Sequence, residues 1–322
     1  MGKSKIRLKN RQSAEGNPRN NVAKGEKTIR RRIKSVKSTQ QITRAMKMVS
    51  SAKLKKSQTA TEAGHPYIDS MVRIIDHLVR ALPDYEHPFL VHPDLPEKEN
   101  PNILLVLLTS DKGLCGSFNS NLARKAENFI SEIPGRGVHL MTIGKYGARY
   151  FKRQGYPLDD ELPAYDFGVH YYDLAGLSQR IESVFLSGKF AEIWLLYSRF
   201  VNPVRQTPTL LKLLPVEHEG LVAGLTEKER RLSAEEEDLI FSPDKQQVLG
   251  AILPRFVRYS LFNAVRESYT SENAARMMAM DNATKNAGEM IDNLTLAYNK
   301  ARQQAITLEL LDIVGGSEGL KG

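Results

Sequence analysis

Two long stretches at opposite ends of the chain carry a narrow apolar stripe at helical spacing. Residues 27–63 contain neither Gly nor Pro, which predicts one long helix. Its apolar positions step by four and three through Ile29, Ile33 and Val36, and resume at Ile42, Ala45, Val49 and Ala52 after a one-residue slip of phase. Gly64-His65-Pro66 ends it. A second amphipathic helix runs from Pro66 to Leu82, before a Pro-rich connector that reaches Pro101. Near the other end, Met280, Ala283, Ala287, Met290, Leu294, Ala297, Ala301, Gln304, Leu308 and Leu311 alternate steps of three and four without a slip, and only Gln304 is polar. A stripe this narrow with a 3.5-residue period belongs to a left-handed coiled coil. Residues 27–58 and 280–311 each span 32 positions, about 48 Å of helix at 1.5 Å per residue. Antiparallel pairing of the two predicts a thin rod, rich in alanine along its seam.

Between the stripes, short apolar runs alternate with amphipathic ones. Strands are predicted at Ile103–Thr109, Val138–Ile143, Glu192–Arg199 and Thr209–Leu214, with helices at Asn119–Ile133, Tyr146–Gln154 and Leu174–Leu186. Strands separated by helices of this size imply crossovers and a largely parallel sheet. The fold class is therefore α/β: a long antiparallel left-handed coiled coil of N- and C-terminal helices, plus a Rossmann-like α/β domain with a largely parallel sheet.

Composition divides the chain further. Residues 1–26 are basic, Asn- and Gly-containing and almost free of large apolar residues, so they read as a disordered extension. The divisions expected are 1–26; 27–82 for the first long helix and its follower; 83–216 for the α/β domain; a charged connector over 217–242; and 243–322 for the C-terminal helix. Ser242-Pro243-Asp244 gives that helix a capping serine, a first-turn proline and an acid. Pro254 is expected to kink or restart it, and Gly315-Gly316 to stop it.

Charge changes the picture more than composition does. Residues 1–60 hold 18 Lys and Arg against 2 acids, and the other 262 residues hold 28 against 35. A basic arm on a mildly acidic body points to an acidic partner surface: protein, nucleic acid or anionic lipid. The first 60 residues contain no aromatic side chain to stack on exposed bases, which leaves nucleic acid only salt-dependent backbone binding. No apolar run approaches the roughly 20 residues of a membrane span. The single Cys115 excludes an internal disulfide, and the seven histidines have no ligand-like spacing, so neither a metal nor any other cofactor is expected.

One loop has the makings of a binding site. "SDKGLCGSFNSN", Ser110–Asn121, follows the first strand and opens a helix, the position at which doubly wound sheets bind ligands. Gly113 and Gly116 can admit a phosphate at the helix N-terminus, although the stretch matches neither of the common glycine-rich phosphate loops. The alternative is a structural turn. Cys115 is likewise either a nucleophile or a small core residue. No paired carboxylates or nucleophile–histidine–acid set stands out, so no catalytic residue is assigned.

Three stretches carry a family resemblance: "IRRRIKSVKSTQQITRAMKMVSSAKLKK" (Ile29–Lys56), "SDKGLCGSFN" (Ser110–Asn119) and "SENAARMMAMDNATKNAGEMIDNLTLAYNKARQQAITLELLDIVGG" (Ser271–Gly316). In content, order and spacing they resemble the gamma subunit of F-type ATP synthases of bacterial type. The resemblance implies a non-catalytic rotor shaft. It turns inside a ring of alpha and beta subunits, and its foot touches the epsilon subunit and the ring of c subunits in the membrane. Proton flow through the membrane ring is thereby coupled to ATP synthesis or hydrolysis. It further implies a peripheral position on the cytoplasmic face of the bacterial plasma (inner) membrane, with no nucleic acid and no membrane span of its own. A basic coiled-coil protein that binds nucleic acid is the alternative.

By the same resemblance, Met46, Lys47, Met48, Arg276, Arg302 and Gln303 are beta-subunit contacts, and the basic shaft (Arg44, Lys47, Lys53, Lys55, Lys56) faces acidic loops. Met46 and Met48 also flank the stripe closely enough for plain seam packing. Residues 1–26 and the length of the 217–242 connector depart from the family pattern. Chloroplast-type members carry an inserted cysteine pair, which a chain with Cys115 alone lacks. Near the end, Ile306, Leu310, Ile313 and Val314 point away from the seam residues Leu308 and Leu311. An apolar helix tip of this kind calls for a sleeve around it; the resemblance supplies one as a bearing at the top of the ring.

Overall fold

The computed structural model describes residues 18–90, 102–166, 170–217 and 241–318. In chain order the elements are α1 (Pro18–Glu62), α2 (His65–Ala81), β1 (Ile103–Leu108), α3 (Phe118–Glu132), β2 (Val138–Ile143), α4 (Lys145–Arg153) and β3 (Leu158–Leu162). A short 3₁₀ turn (Tyr171–Leu174) follows, then α5 (Ala175–Leu186), β4 (Glu192–Phe200), β5 (Gln206–Leu214) and α6 (Lys245–Glu318). Contacts divide the chain into two compact units, one of residues 1–46 with 280–322 and one of residues 47–279. The division falls inside α1 and α6, not at the ends of elements; α6 buries a face in the larger unit's core over part of its length.

The larger unit is built on a five-stranded sheet ordered β3-β2-β1-β4-β5. β1 pairs in parallel with β2 and with β4, and β2 with β3, while β4 and β5 form an antiparallel hairpin. β1, "ILLVLL", is buried at every position, because helices cover both sides of the sheet. Leu104, Val106 and Leu108 pack in one core with Ile75 and Leu78 of α2, Ile181 and Phe185 of α5, and Leu253, Val257 and Leu261 of α6. Ile103, Leu105 and Leu107 face the other way, onto Phe118, Leu122 and Phe129 of α3 and Phe151 of α4.

β3 is the one strand the sequence pattern does not predict. Its residues, "LDDEL", alternate between half-buried and exposed at the sheet edge, so three of five positions can be acidic without entering the core. The start of α6 also differs from expectation: Asp244, not Ser242, caps it, accepting from the Gln247 backbone N–H at 2.8 Å. A carboxylate there satisfies a free amide and meets the positive end of the helix dipole. α6 continues through Pro254 and through Gly315-Gly316 to Glu318. A glycine costs a helix interior only about 1 kcal/mol, which is too little to stop it.

In the smaller unit, α1 and α6 are joined directly. The Thr284 hydroxyl donates to Thr43 Oγ1 at 2.8 Å, and Gln40 Nε2 makes a long hydrogen bond, 3.4 Å, to the Thr284 carbonyl. A Cβ on Gly288 would stand 3.2 Å from Gln40 Nε2. Falling numbers on α1 thus meet rising numbers on α6, and the pair is antiparallel.

The seam on α1 departs from the expected one. Half-buried Ile29, Ile33, Val36 and Gln40 lead to buried Thr43, Ser50, Leu54, Ser57 and Thr61. The heptad therefore runs on without a slip, through small polar residues. Ile42 and Val49 are each 57% exposed, and Ala45 and Ala52 are exposed too. Counting apolar residues follows the wrong face because the buried hydroxyls are satisfied locally: Thr43 donates to the Gln40 carbonyl at 3.0 Å and Ser57 to that of Leu54 at 3.0 Å.

The start of α1 at Pro18 also corrects the expectation of disorder through residue 26. Proline suits a first helical turn, since its missing N–H would have had no partner there. By equal rise per residue, the Thr43–Thr284 pair places 18–26 alongside roughly 301–309 of α6. Residues 1–17 and most of the 217–242 connector lie outside the described residues.

Candidate interaction sites on the long helices and the loop after the first strand

The positions expected to meet a partner differ in what the fold leaves of them. Met48 is 62% exposed, which removes seam packing as its role. Met46 and Lys47 are half-buried. Arg302 and Gln303 are exposed on α6. Along the α6 stripe, Met280 and Ala287 are buried, and Ala283, Leu294, Ala301 and Leu308 are half-buried. Met290 and Ala297 are exposed, as is Leu311, at 62%. Beyond it the apolar content stays uncovered: Leu310, Ile313 and Val314 are 58–65% exposed, and Ile306 is 43% exposed. By the register above, the described part of α1 offers no partner past about residue 309.

Arg276 has a different fate. Its side chain is only 12% exposed, and it pairs with Glu272, one turn earlier, at 2.6 Å. It also donates from Nη2 to the Lys112 carbonyl at 3.2 Å, with longer contacts of 3.4 Å to the Gly113 carbonyl. The expected contact residue therefore holds the chain's own loop. Burial pushes the Glu272 carboxyl above its ordinary pKa, against the pull of Arg276.

The loop so held is closed by its own hydrogen bonds. Asn119 Oδ1 accepts from Ser110 N–H at 3.0 Å, and its Nδ2 donates to Ser110 Oγ at 2.7 Å and to Cys115 Sγ at 3.3 Å. Ser110 Oγ donates to the Lys112 carbonyl at 2.7 Å. Asp111 Oδ1 accepts from the N–H groups of Lys145 and Ala164 at 2.9 and 3.0 Å, tying the loop to the ends of β2 and β3. Gly116 is needed for its left-handed φ of 58°. Leu114 adopts φ 63° with a full side chain and stays 62% exposed, so the loop displays an apolar residue from a strained backbone.

The crevice at the ends of β1 and β2, lined by Thr109, Ile143, Tyr165, Ser268, Tyr269 and Glu272, has a volume of about 20 Å³. That is room for one water, far below the roughly 300 Å³ at which ligand pockets begin. Cys115 is buried, and burial raises its thiol pKa. It packs in the core with Phe118 and Leu122, and a raised thiol pKa disfavours the reactive thiolate. Among the described residues, no cluster of His, Cys, Asp and Glu suits a metal, and no helix is long and apolar enough to cross a membrane. Glu272 and Arg276, four apart on one helix face, are the interaction that sequence reading missed; the Glu-x-x-x-Arg spacing signals their pairing, but nothing signals the loop carbonyls.

Comparison with known proteins agrees with this architecture. Residues 25–320 match the ATP synthase family. The chain is 40% identical to the ATP synthase gamma chain of Syntrophobacter fumaroxidans over 295 residues, covering 91% of this chain and 98% of that one. It is 38% identical to the gamma chain of Desulforamulus reducens, with the same coverage. Among solved structures it resembles a chain of the Euglena gracilis mitochondrial ATP synthase, OSCP/F1/c-ring, with a TM-score of 0.63 at 18% identity, covering 92% of this chain and 95% of that chain. A chain of the central stalk/c-ring of the Tetrahymena thermophila enzyme gives 0.54 at 23% identity, covering 75% and 99%. At those identities the structural likeness speaks to fold alone.

Proposed function

The chain belongs to the family of ATP synthase gamma chains, and on that premise we propose that it is the rotating central-stalk subunit of an F-type ATP synthase. The observation that carries the reading is the uncovered end of α6. Ile306, Leu310, Leu311, Ile313 and Val314 are 43–65% exposed at the end of a 74-residue helix. Apolar side chains on several sides of one helix end suit a surrounding apolar collar, not a single neighbouring helix.

In this role the subunit performs no bond chemistry. Met46, Lys47, Met48, Arg302 and Gln303 contact the beta subunits as the shaft turns. Each orientation binds the open, loose and tight beta conformers with different free energies, and that difference moves their populations. Inverting a two-state population from 1:99 to 99:1 requires about 5.5 kcal/mol of differential interaction, a sum several such contacts can supply. Arg276 acts at one remove, by fixing the Lys112–Leu114 segment. The alpha and beta subunits, the epsilon subunit and the c-subunit ring are the partners. The protein sits peripherally on the cytoplasmic face of the bacterial plasma membrane, a placement supported by its bacterial relatives and by described helices too short or too polar to span.

Co-expression with alpha and beta subunits tests the proposal. A stoichiometric complex that hydrolyses ATP and turns a probe attached to this chain is the expected result. Failure to recover such a complex sinks the reading.

A further inference from the structure

Several cations of the larger unit have a carboxylate partner, among them the half-buried Arg136, Lys212 and Arg276 and the exposed Arg180 and Lys189. Arg136 and Lys212 share Glu192, Arg180 has Asp160, Lys189 has Asp159 and Arg276 has Glu272. One face breaks the pattern. Arg258 and Arg266 are half-buried, Arg255 is exposed, and none of the three has an ion-pair partner among the described residues. Aromatic rings take that place: Arg258 lies over Tyr171 at 5.7 Å and Arg266 over Phe262 at 5.1 Å. Burial lowers the Arg266 pKa from its ordinary value, as expected of a desolvated cation with no counter-charge.

The rings form one continuous surface from three elements. Tyr259 of α6 meets Tyr67 of α2 at 4.6 Å and Tyr171 at 6.4 Å between ring centres, and Tyr171 meets Phe262 at 6.0 Å. The Tyr259 hydroxyl is anchored on the Gly64 carbonyl at 2.9 Å. At the margins, Tyr67 and Tyr172 are 54% and 80% exposed. The nearby acids do not neutralise the arginines. Asp69 acts on Tyr259, and Asp173 accepts from the His170 backbone N–H at 2.6 Å. Tyrosine and arginine are the side chains that dominate binding energy at protein interfaces, and lone desolvated arginines favour carboxylate partners.

We propose that this face is a docking surface for an acidic polypeptide, whose carboxylates pair with Arg255, Arg258 and Arg266 and whose apolar side chains lie on the tyrosines. The inference rests on the proposed function only in placing the chain inside a multi-subunit complex. The test is photo-crosslinking in that complex, with p-benzoylphenylalanine in place of Tyr172 and the adduct mapped by mass spectrometry. The expected adduct is a polypeptide segment with at least two Asp or Glu residues within a turn or so of the cross-linked site. In the same complex, Arg258→Glu with Arg266→Glu should lower the yield at least tenfold, and the two Arg→Lys changes should keep most of it. Because Arg258 stacks on Tyr171, the exposed Arg255→Glu serves as a second variant, with an expected loss of threefold or more and unchanged circular dichroism. A lipid adduct, a segment without carboxylates, no adduct, or yields indifferent to charge reversal would each overturn the proposal. A complex that never forms fails the proposed function instead, since Tyr172 lies outside every residue assigned to the shaft contacts.

Discussion

Replacing Arg276 by alanine removes three things at once: the ion pair with Glu272, the hydrogen bond to the Lys112 carbonyl and the contacts to Gly113. The two charged side chains are 12% and 15% exposed, so solvent replaces little of what is lost. A hydrogen bond to a charged group contributes about 1.5–3 kcal/mol, and breaking a buried pair costs about 3–5 kcal/mol. The 3.4 Å contacts add little at that length. A loss of about 2–4 kcal/mol is expected for the larger unit. The sign of its pH dependence follows from Glu272, whose carboxyl pKa is already raised by burial. A raised carboxyl holds its proton better in the folded state, so its contribution is fully present below the ordinary value of about 4.5 and is lost as pH rises above it. Without Arg276 the carboxylate is left uncompensated, and the defect should be larger at pH 7 than at pH 4.5. Urea unfolding followed through the single Trp194, which lies in β4, reads this directly. A defect under about 0.5 kcal/mol, or one equal at both pH values, would refute the reasoning. Arg276→Ala combined with Glu272→Gln should recover at least about 1 kcal/mol of the loss as coupling.

Four further outcomes are expected. Thr43→Asp should lower the thermal midpoint of the helix pair, at a cost of about 1–3 kcal/mol for a charge placed in the seam. Ile42→Asp should stay within about 0.5 kcal/mol; the reverse order would restore the slipped apolar face as the seam. Gly144 has φ 112°, and a Cβ there would stand 2.2 Å from the Thr109 carbonyl oxygen; Gly144→Ala should therefore cost at least about 2 kcal/mol in chemical denaturation. Cys115 should resist maleimide in the native chain and react at the rate of a free thiol in urea, so rapid native labelling would contradict its burial. Truncation after Gln304 should leave assembly intact while weakening the coupling of ATP hydrolysis to rotation, and complete failure to assemble would contradict the division of roles along α6.

How far the sequence alone reached depended on whether burial and apolarity coincide. They coincide in β1, β2 and α3, where predicted and observed elements agree to within about a residue. β3 escaped because an edge strand needs so little core that "LDDEL" can be mostly acid. The α1 seam departs from the apolar stripe past Val36 because burial there falls on Gln40, Thr43 and Ser57, whose polar groups find backbone or cross-helix partners. Ile42 and Val49 were the conspicuous residues on that helix, yet they lie on its open face. Arg276 was picked out by resemblance as a contact with another subunit. Its use inside the chain depends on carbonyls at Lys112 and Gly113, some 160 residues away, and a backbone oxygen leaves no mark in a sequence.

The hydroxyl-lined seam has a mechanical consequence. The one hydroxyl proton of Thr284 has two acceptors in reach, Thr43 Oγ1 across the seam at 2.8 Å and the Met280 carbonyl on its own helix at 2.7 Å, while Thr43 donates to the Gln40 carbonyl. When the helices shear past one another, the cross-helix link can open without stranding a buried donor. The loss is then about 0.5–1.5 kcal/mol for one hydrogen bond, not the larger desolvation penalty. An interlocked apolar seam would resist such motion until it failed. This one can yield under twist as the Thr284 proton moves from Thr43 to the Met280 carbonyl, and the link re-forms when the helices return.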